Sequence, residues 1–155
     1  MPSRIPTLSS ALFFIPAYLA YINATPLLSL ACAACAVTSL INHGTLCIYT
    51  VFGYIDRLVV NSIGALYALN CIKKLKTITL AHPSAIFYLS TLIFGALTIY
   101  LYAYLTQHAH YRYHAFIHLS AVVGILFYLQ GELYIREYLS SKDEYARARS
   151  QGLLS

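Results

Sequence analysis

The chain has 155 residues, of which 59% are hydrophobic and only 10% charged, with a net charge of +5 and a mean hydropathy of +0.66. A soluble domain carries about 25% charged residues, and a chain this short cannot hide so much apolar surface in its own interior. A soluble fold is therefore excluded, and a bilayer that acts as solvent for the outer face of a helical bundle is implied.

The N-terminal stretch does not read as a cleaved leader. Arg4 precedes an apolar run, but Pro16 interrupts it and no small-residue cleavage site follows. A spanning helix needs about 20 mostly apolar residues, and five candidates follow in chain order. The first covers about residues 7–22 and is short, with Pro16 inside it, which predicts a tilt or kink. The second follows Pro26 and reaches about Tyr49. It contains Cys32 and Cys35 in the run SLACAACAV, read as small residues at a helix contact rather than as half of a metal site. The third covers about residues 51–72, the fourth runs from near Pro83 to near Thr106, and the fifth covers about residues 113–139. Residues 1–140 thus form an all-α, polytopic transmembrane bundle of about five spans, and residues 141–155 a polar, basic tail. Tyr100, Tyr102, Tyr104, Tyr111 and Tyr113 cluster where the fourth and fifth helices leave the bilayer, as interfacial aromatics do.

The basic residues read as a topology signal, not as a nucleic-acid patch. One side of the membrane carries Lys73, Lys74, Lys76, Lys142, Arg147 and Arg149, with Arg136 nearby, and the other carries Arg4, Arg57 and Arg112. The richer side is expected to be cytosolic, which places the C-terminus inside and the N-terminus outside or lumenal.

Titratable groups inside a membrane are expensive and each is a functional hypothesis. His43 follows Ser39 by one helical turn near the end of the second helix, Asp56 starts the third, and His114 and His118 open the fifth one turn apart. In a five-helix topology all of these fall at one depth near the same face. Three neutral imidazoles with an open position form a common catalytic zinc shell, in which Asp56 would serve as general base or orient a water and Ser39 would hydrogen-bond that water or an oxyanion. His108 and His110 read as interfacial loop residues, and His82 lies at the opposite face. Glu132 and Arg136, one turn apart, are expected to pair with each other. Asn42, Asn61 and Asn70 are expected to hydrogen-bond between helices.

These residues, in SLINHGTLCIYTVFGYID and the later HAFIH, resemble the CREST superfamily of membrane hydrolases, which includes alkaline ceramidases, the progestin and adipoQ receptors, and lipid-remodelling proteins of GPI anchors. The resemblance maps the zinc ligands onto His43, His114 and His118, and the residues around the metal-bound water onto Ser39 and Asp56. It implies zinc-dependent hydrolysis of an amide or ester bond in a membrane lipid. The family core has seven helices and this chain has room for about five. The shortage lies between Asp56 and His114, and losing two helices keeps the direction of the last one. The thinner wall is compatible with a homo-oligomer that completes the cavity. Two alternatives remain: a non-enzymatic, zinc-binding, receptor-like membrane protein, and a b-type haem protein in which His43 pairs with His114 or His118.

Overall fold

A computed structural model describes residues 4–44, 51–78, 82–107 and 113–150. Among these the structure is all-α: α1 (Arg4–Ser10), a 3-10 turn (Ala11–Phe13), α2 (Phe14–Ile22), α3 (Pro26–Gly44), α4 (Val51–Thr77), α5 (Ser84–Gln107) and α6 (His114–Ser150). Four helices are long and apolar enough to cross a membrane, and the apolar stretch Thr7–Ile22 is shorter. The first of the five expected spans therefore falls short of the length a straight crossing needs. The interruption expected from Pro16 is present as the 3-10 turn, which contains Leu12. Pro16 has no N–H to give the Leu12 carbonyl, and its ring crowds that carbonyl, so the helix tightens there.

The turn between α2 and α3 is closed by its own side chains. Asn23 Nδ2 donates to the Leu19 carbonyl at 2.8 Å and Thr25 Oγ1 donates to the Ala20 carbonyl at 2.7 Å. Ala24 adopts a left-handed φ of 52°, the conformation that lets a helix end abruptly. Pro26, with its fixed φ, then opens α3. Ser29 Oγ donates across to the Ala17 carbonyl at 2.8 Å, locking α3 against α2.

The helices pack in a ring. α3 lies between α1–α2 and α4, α5 lies between α4 and α6, and α6 returns to α1 and α2. The interior is built from small and aromatic side chains: Ala20, Cys32, Cys71 and Tyr88 are fully buried. Cys32 and Cys35 are buried free thiols. The outward faces remain apolar, with Leu27 at 84% and Ile99 at 72% exposure. Such surface is stable only against lipid or another apolar partner, which fits an integral multi-pass protein.

The most extensive helix contact among the described residues is between α5 and α6. A Cβ on Gly131 would sit 3.1 Å from Tyr88 Cζ, and one on Gly124 would sit 3.2 Å from Phe94 Cβ. These glycines are one heptad apart and let the backbones meet, as small residues do between membrane helices. Gly131→Leu is expected to lower stability by about 1–3 kcal/mol through overpacking against Tyr88, read as a fall in thermal midpoint in detergent. Gly95→Leu, where nothing lies within 4 Å of the added carbon, should leave that midpoint near the wild-type value.

Two elements differ from expectation. α6 was expected to end near Leu139 and instead continues to Ser150. At 37 residues it is roughly 55 Å long, well beyond a hydrocarbon core of about 30 Å. Glu132 does not pair with Arg136. It meets Lys74 Nζ of α4 at 3.2 Å and accepts a 2.9 Å hydrogen bond from the Tyr88 hydroxyl of α5. Arg136 donates to the Asn23 carbonyl at 2.8 Å instead. Glu132 thus ties three helices at the end of the bundle that carries the lysines.

Candidate metal centre

The last turn of α3 carries a polar face in an otherwise apolar helix: Thr38, Ser39, Asn42 and His43. Positions three and four residues apart are neighbours on a helix surface, so Asn42 stands one turn from Thr38 and Ser39, and His43 one turn from Ser39. The partner is Asp56, in the second turn of α4. Its Oδ1 accepts from Thr38 Oγ1 at 2.9 Å and from Ser39 Oγ at 2.8 Å, and its Oδ2 accepts from Asn42 Nδ2 at 2.9 Å. Asp56 is 6% exposed. A buried carboxylate is tolerated because donors replace its lost hydration. A carboxylate has about four lone-pair sites, so three donors leave it about one acceptor position.

His43 projects from the same turn toward α6. His114 and His118 meet it there, one turn apart on α6. The ring centroids are 4.7 Å (His43–His114), 5.2 Å (His43–His118) and 4.9 Å (His114–His118) apart. One nitrogen from each ring lies within 4.8 Å of those of the other two. His43 and His118 are buried, with 5% and 6% exposure, and His114 is half-buried. His43 is next to Asn42 and one turn from Ser39, both of which donate to Asp56, so the carboxylate and the imidazoles form one constellation.

A buried group of three histidines is a candidate site for a metal ion. Tetrahedral zinc with bonds of about 2.0–2.1 Å holds ligand nitrogens about 3.4 Å apart, a distance within small imidazole rotations of the arrangement seen. The chemistry of the donors fits: three imidazoles, a carboxylate near them, and a serine hydroxyl on Nδ1 of one ring. Asn42 Oδ1 adds to the fit. Among the described residues it is the buried side-chain atom left without a donor, and a ligand or water carrying an O–H or N–H would satisfy it.

Ser39 lies beside the histidines and is hydrogen-bonded to Asp56. Its proton goes to Asp56, so the hydroxyl is free to accept but can donate to an oxyanion only by releasing the carboxylate. Asn42 does bridge two helices, as expected, whereas Asn61 and Asn70 are exposed. His82 is far from the centre: its Nδ1 lies 2.7 Å from Ser84 Oγ and accepts from the Ser84 N–H, capping α5. His108, His110 and Cys47 fall outside the described residues.

Two contributors escaped sequence reasoning. Thr38 joins the donors to Asp56, and its place beside Ser39 was the available signal. Ser9 of α1 lies 2.8 Å from His118 Nδ1. The Ser9–Ser10 pair inside an apolar segment could have drawn attention to it.

A separate cavity of about 570 Å³ opens between α3, α4 and α6, toward Tyr67, Tyr128 and Glu132. The apolar layer of Phe13, Cys35, Ala36 and Val122 stands between it and the histidines. No family model, curated protein or solved structure matches the chain.

Proposed function

We propose that this chain is a zinc-dependent intramembrane hydrolase that cleaves an amide or ester bond in a membrane lipid. The observation that carries the reading is the convergence of His43, His114 and His118 beside a hydrogen-bonded Ser39–Asp56 pair. The motif resemblance to the CREST superfamily supports the same chemistry. Zinc bound there supplies Lewis acidity, polarising a carbonyl and acidifying a water molecule.

The chain's own residues do the rest. The three imidazoles would hold the ion without adding charge. Asp56, fixed by Thr38, Ser39 and Asn42, takes a proton from the attacking water at its remaining acceptor position and returns it to the leaving amine or alcohol. The Ser39 hydroxyl oxygen accepts from that water and aligns it. Apolar side chains around the site, Phe13 and Ile117 among them, limit bulk water and strengthen these interactions. With the lysine-rich end cytosolic, the centre lies toward the outer or lumenal leaflet, and substrate arrives from the bilayer.

A small ion suits the geometry better than haem. Imidazole rings with centroids 4.7–5.2 Å apart leave no gap for a macrocycle between any two of them.

The test is elemental analysis of freshly purified protein, followed by hydrolysis assays on a ceramide and a phospholipid ester. About one zinc per chain is expected, with release of fatty acid that a chelator abolishes and added zinc restores. Absence of bound metal would sink the reading. Retained zinc with no turnover of either bond would reassign the centre to a structural or receptor-like role.

A further inference from the structure

The N-terminal segment is too short for a comfortable span, yet it reaches the centre of the bundle and touches the proposed metal site at two points. Ser9 Oγ lies 2.8 Å from His118 Nδ1 across 109 residues of sequence. Phe13, one turn further along, presents its ring edge-on to the His118 imidazole, with centroids 5.8 Å apart and planes at 65°. Ser9 is 8% exposed and Phe13 is 2% exposed. Ser9 belongs to α1 and Phe13 closes the 3-10 turn that follows it, so this N-terminal segment meets the ring both at Nδ1 and through an aromatic contact.

A neutral imidazole protonates one nitrogen only, and the hydrogen bond on that nitrogen decides which one is left for a metal. A serine hydroxyl both donates and accepts. If Ser9 donates to Nδ1, the proton sits on Nε2 and neither nitrogen is open to an ion. If Nδ1–H donates to the Ser9 oxygen, the Nε2 lone pair is open. Only the second state is compatible with the nitrogen cluster acting as a ligand set.

We infer that Ser9 is a positioning residue that holds His118 as the Nδ1–H tautomer and so directs Nε2 to the metal. This rests on the metal reading above and adds a role for the N-terminal helix: it completes the centre from outside the α3–α4–α6 constellation. The carboxylate or carbonyl that more often fills this position is replaced here by a hydroxyl, which binds the imidazole without bringing a further charge into the membrane.

The experiment compares zinc affinity of wild type, Ser9→Ala and Ser9→Thr by chelator competition in detergent. It also records long-range ¹H–¹⁵N correlations of histidine-labelled, zinc-loaded wild type. Ser9→Ala is expected to bind zinc about 10–100-fold more weakly, the usual effect of losing such a partner, and Ser9→Thr to bind within a few-fold of wild type. The His118 signals should show a protonated Nδ1 and a metal-bound Nε2. Zinc on Nδ1 of His118, or unchanged affinity in Ser9→Ala, overturns the inference and leaves the metal centre standing. A wild-type protein that binds no zinc overturns both. If Ser9→Ala does not fold, the wild-type spectrum still decides.

Discussion

His118→Ala is expected to leave the purified protein without bound zinc, where wild type carries about one ion per chain. A structural zinc site is worth roughly 10–16 kcal/mol over four ligands, so one imidazole accounts for about 3 kcal/mol, or a hundredfold and more in affinity. The loss should exceed this in effect, because His114 and His43 alone offer two nitrogens from two different helices. His82→Ala is the matched control. It removes a histidine that caps α5 and packs against Tyr138 at a centroid distance of 4.9 Å, and it should retain full metal content. His118→Ala protein that keeps its zinc would rule out the three-histidine centre.

Asp56 separates chemistry from architecture. Asp56→Ala leaves Thr38, Ser39 and Asn42 without their common acceptor. Hydrogen bonds to a buried charged group contribute about 1.5–3 kcal/mol each in water, and interhelical bonds in membranes average less, so a total on the order of 3 kcal/mol is expected as a lowered thermal midpoint. Asp56→Asn keeps the shape and most of the packing but replaces one acceptor oxygen with a donor and removes the base. It should hold zinc while losing turnover by at least a hundredfold, the usual contribution of a positioned base. Equal activity of wild type and Asp56→Asn would remove Asp56 from the proposed proton transfer. Ser39→Ala removes only one of the three donors to Asp56, so its thermal midpoint should fall by less than that of Asp56→Ala.

Where the polar residues stand along each helix was readable from the chain. Apolar runs fix the number and order of the segments, since only a helix satisfies its own backbone in lipid. Alternating direction then fixes which ends share a side. That sufficed to put His43, Asp56, His114 and His118 at one depth. It also anticipated the irregularity at Pro16, because a missing N–H acts locally.

The limits were physical as well. Hydropathy marks where a helix leaves the membrane but not where it stops. The continuation of α6 through SSKDEYARARS to Ser150 follows from good helix formers such as Lys, Glu, Ala and Arg, which hold the helix in water. Spacing along one helix made Arg136 the natural partner of Glu132, and cross-helix packing gave that carboxylate to Lys74 and Tyr88.

The membrane bundle, and the depth at which its costly side chains lie, were determined by the sequence itself, because both depend on the chain's local exchange with solvent. The direction each of those side chains faces around the ring of helices was decided only by the tertiary structure. Rotation of a helix about its own axis is set by contacts with its neighbours: the small-residue seam of α5 on α6, the donors of α3 around Asp56, and Ser9 of α1 on His118. Those contacts turn three histidines at one depth into three histidines around one point.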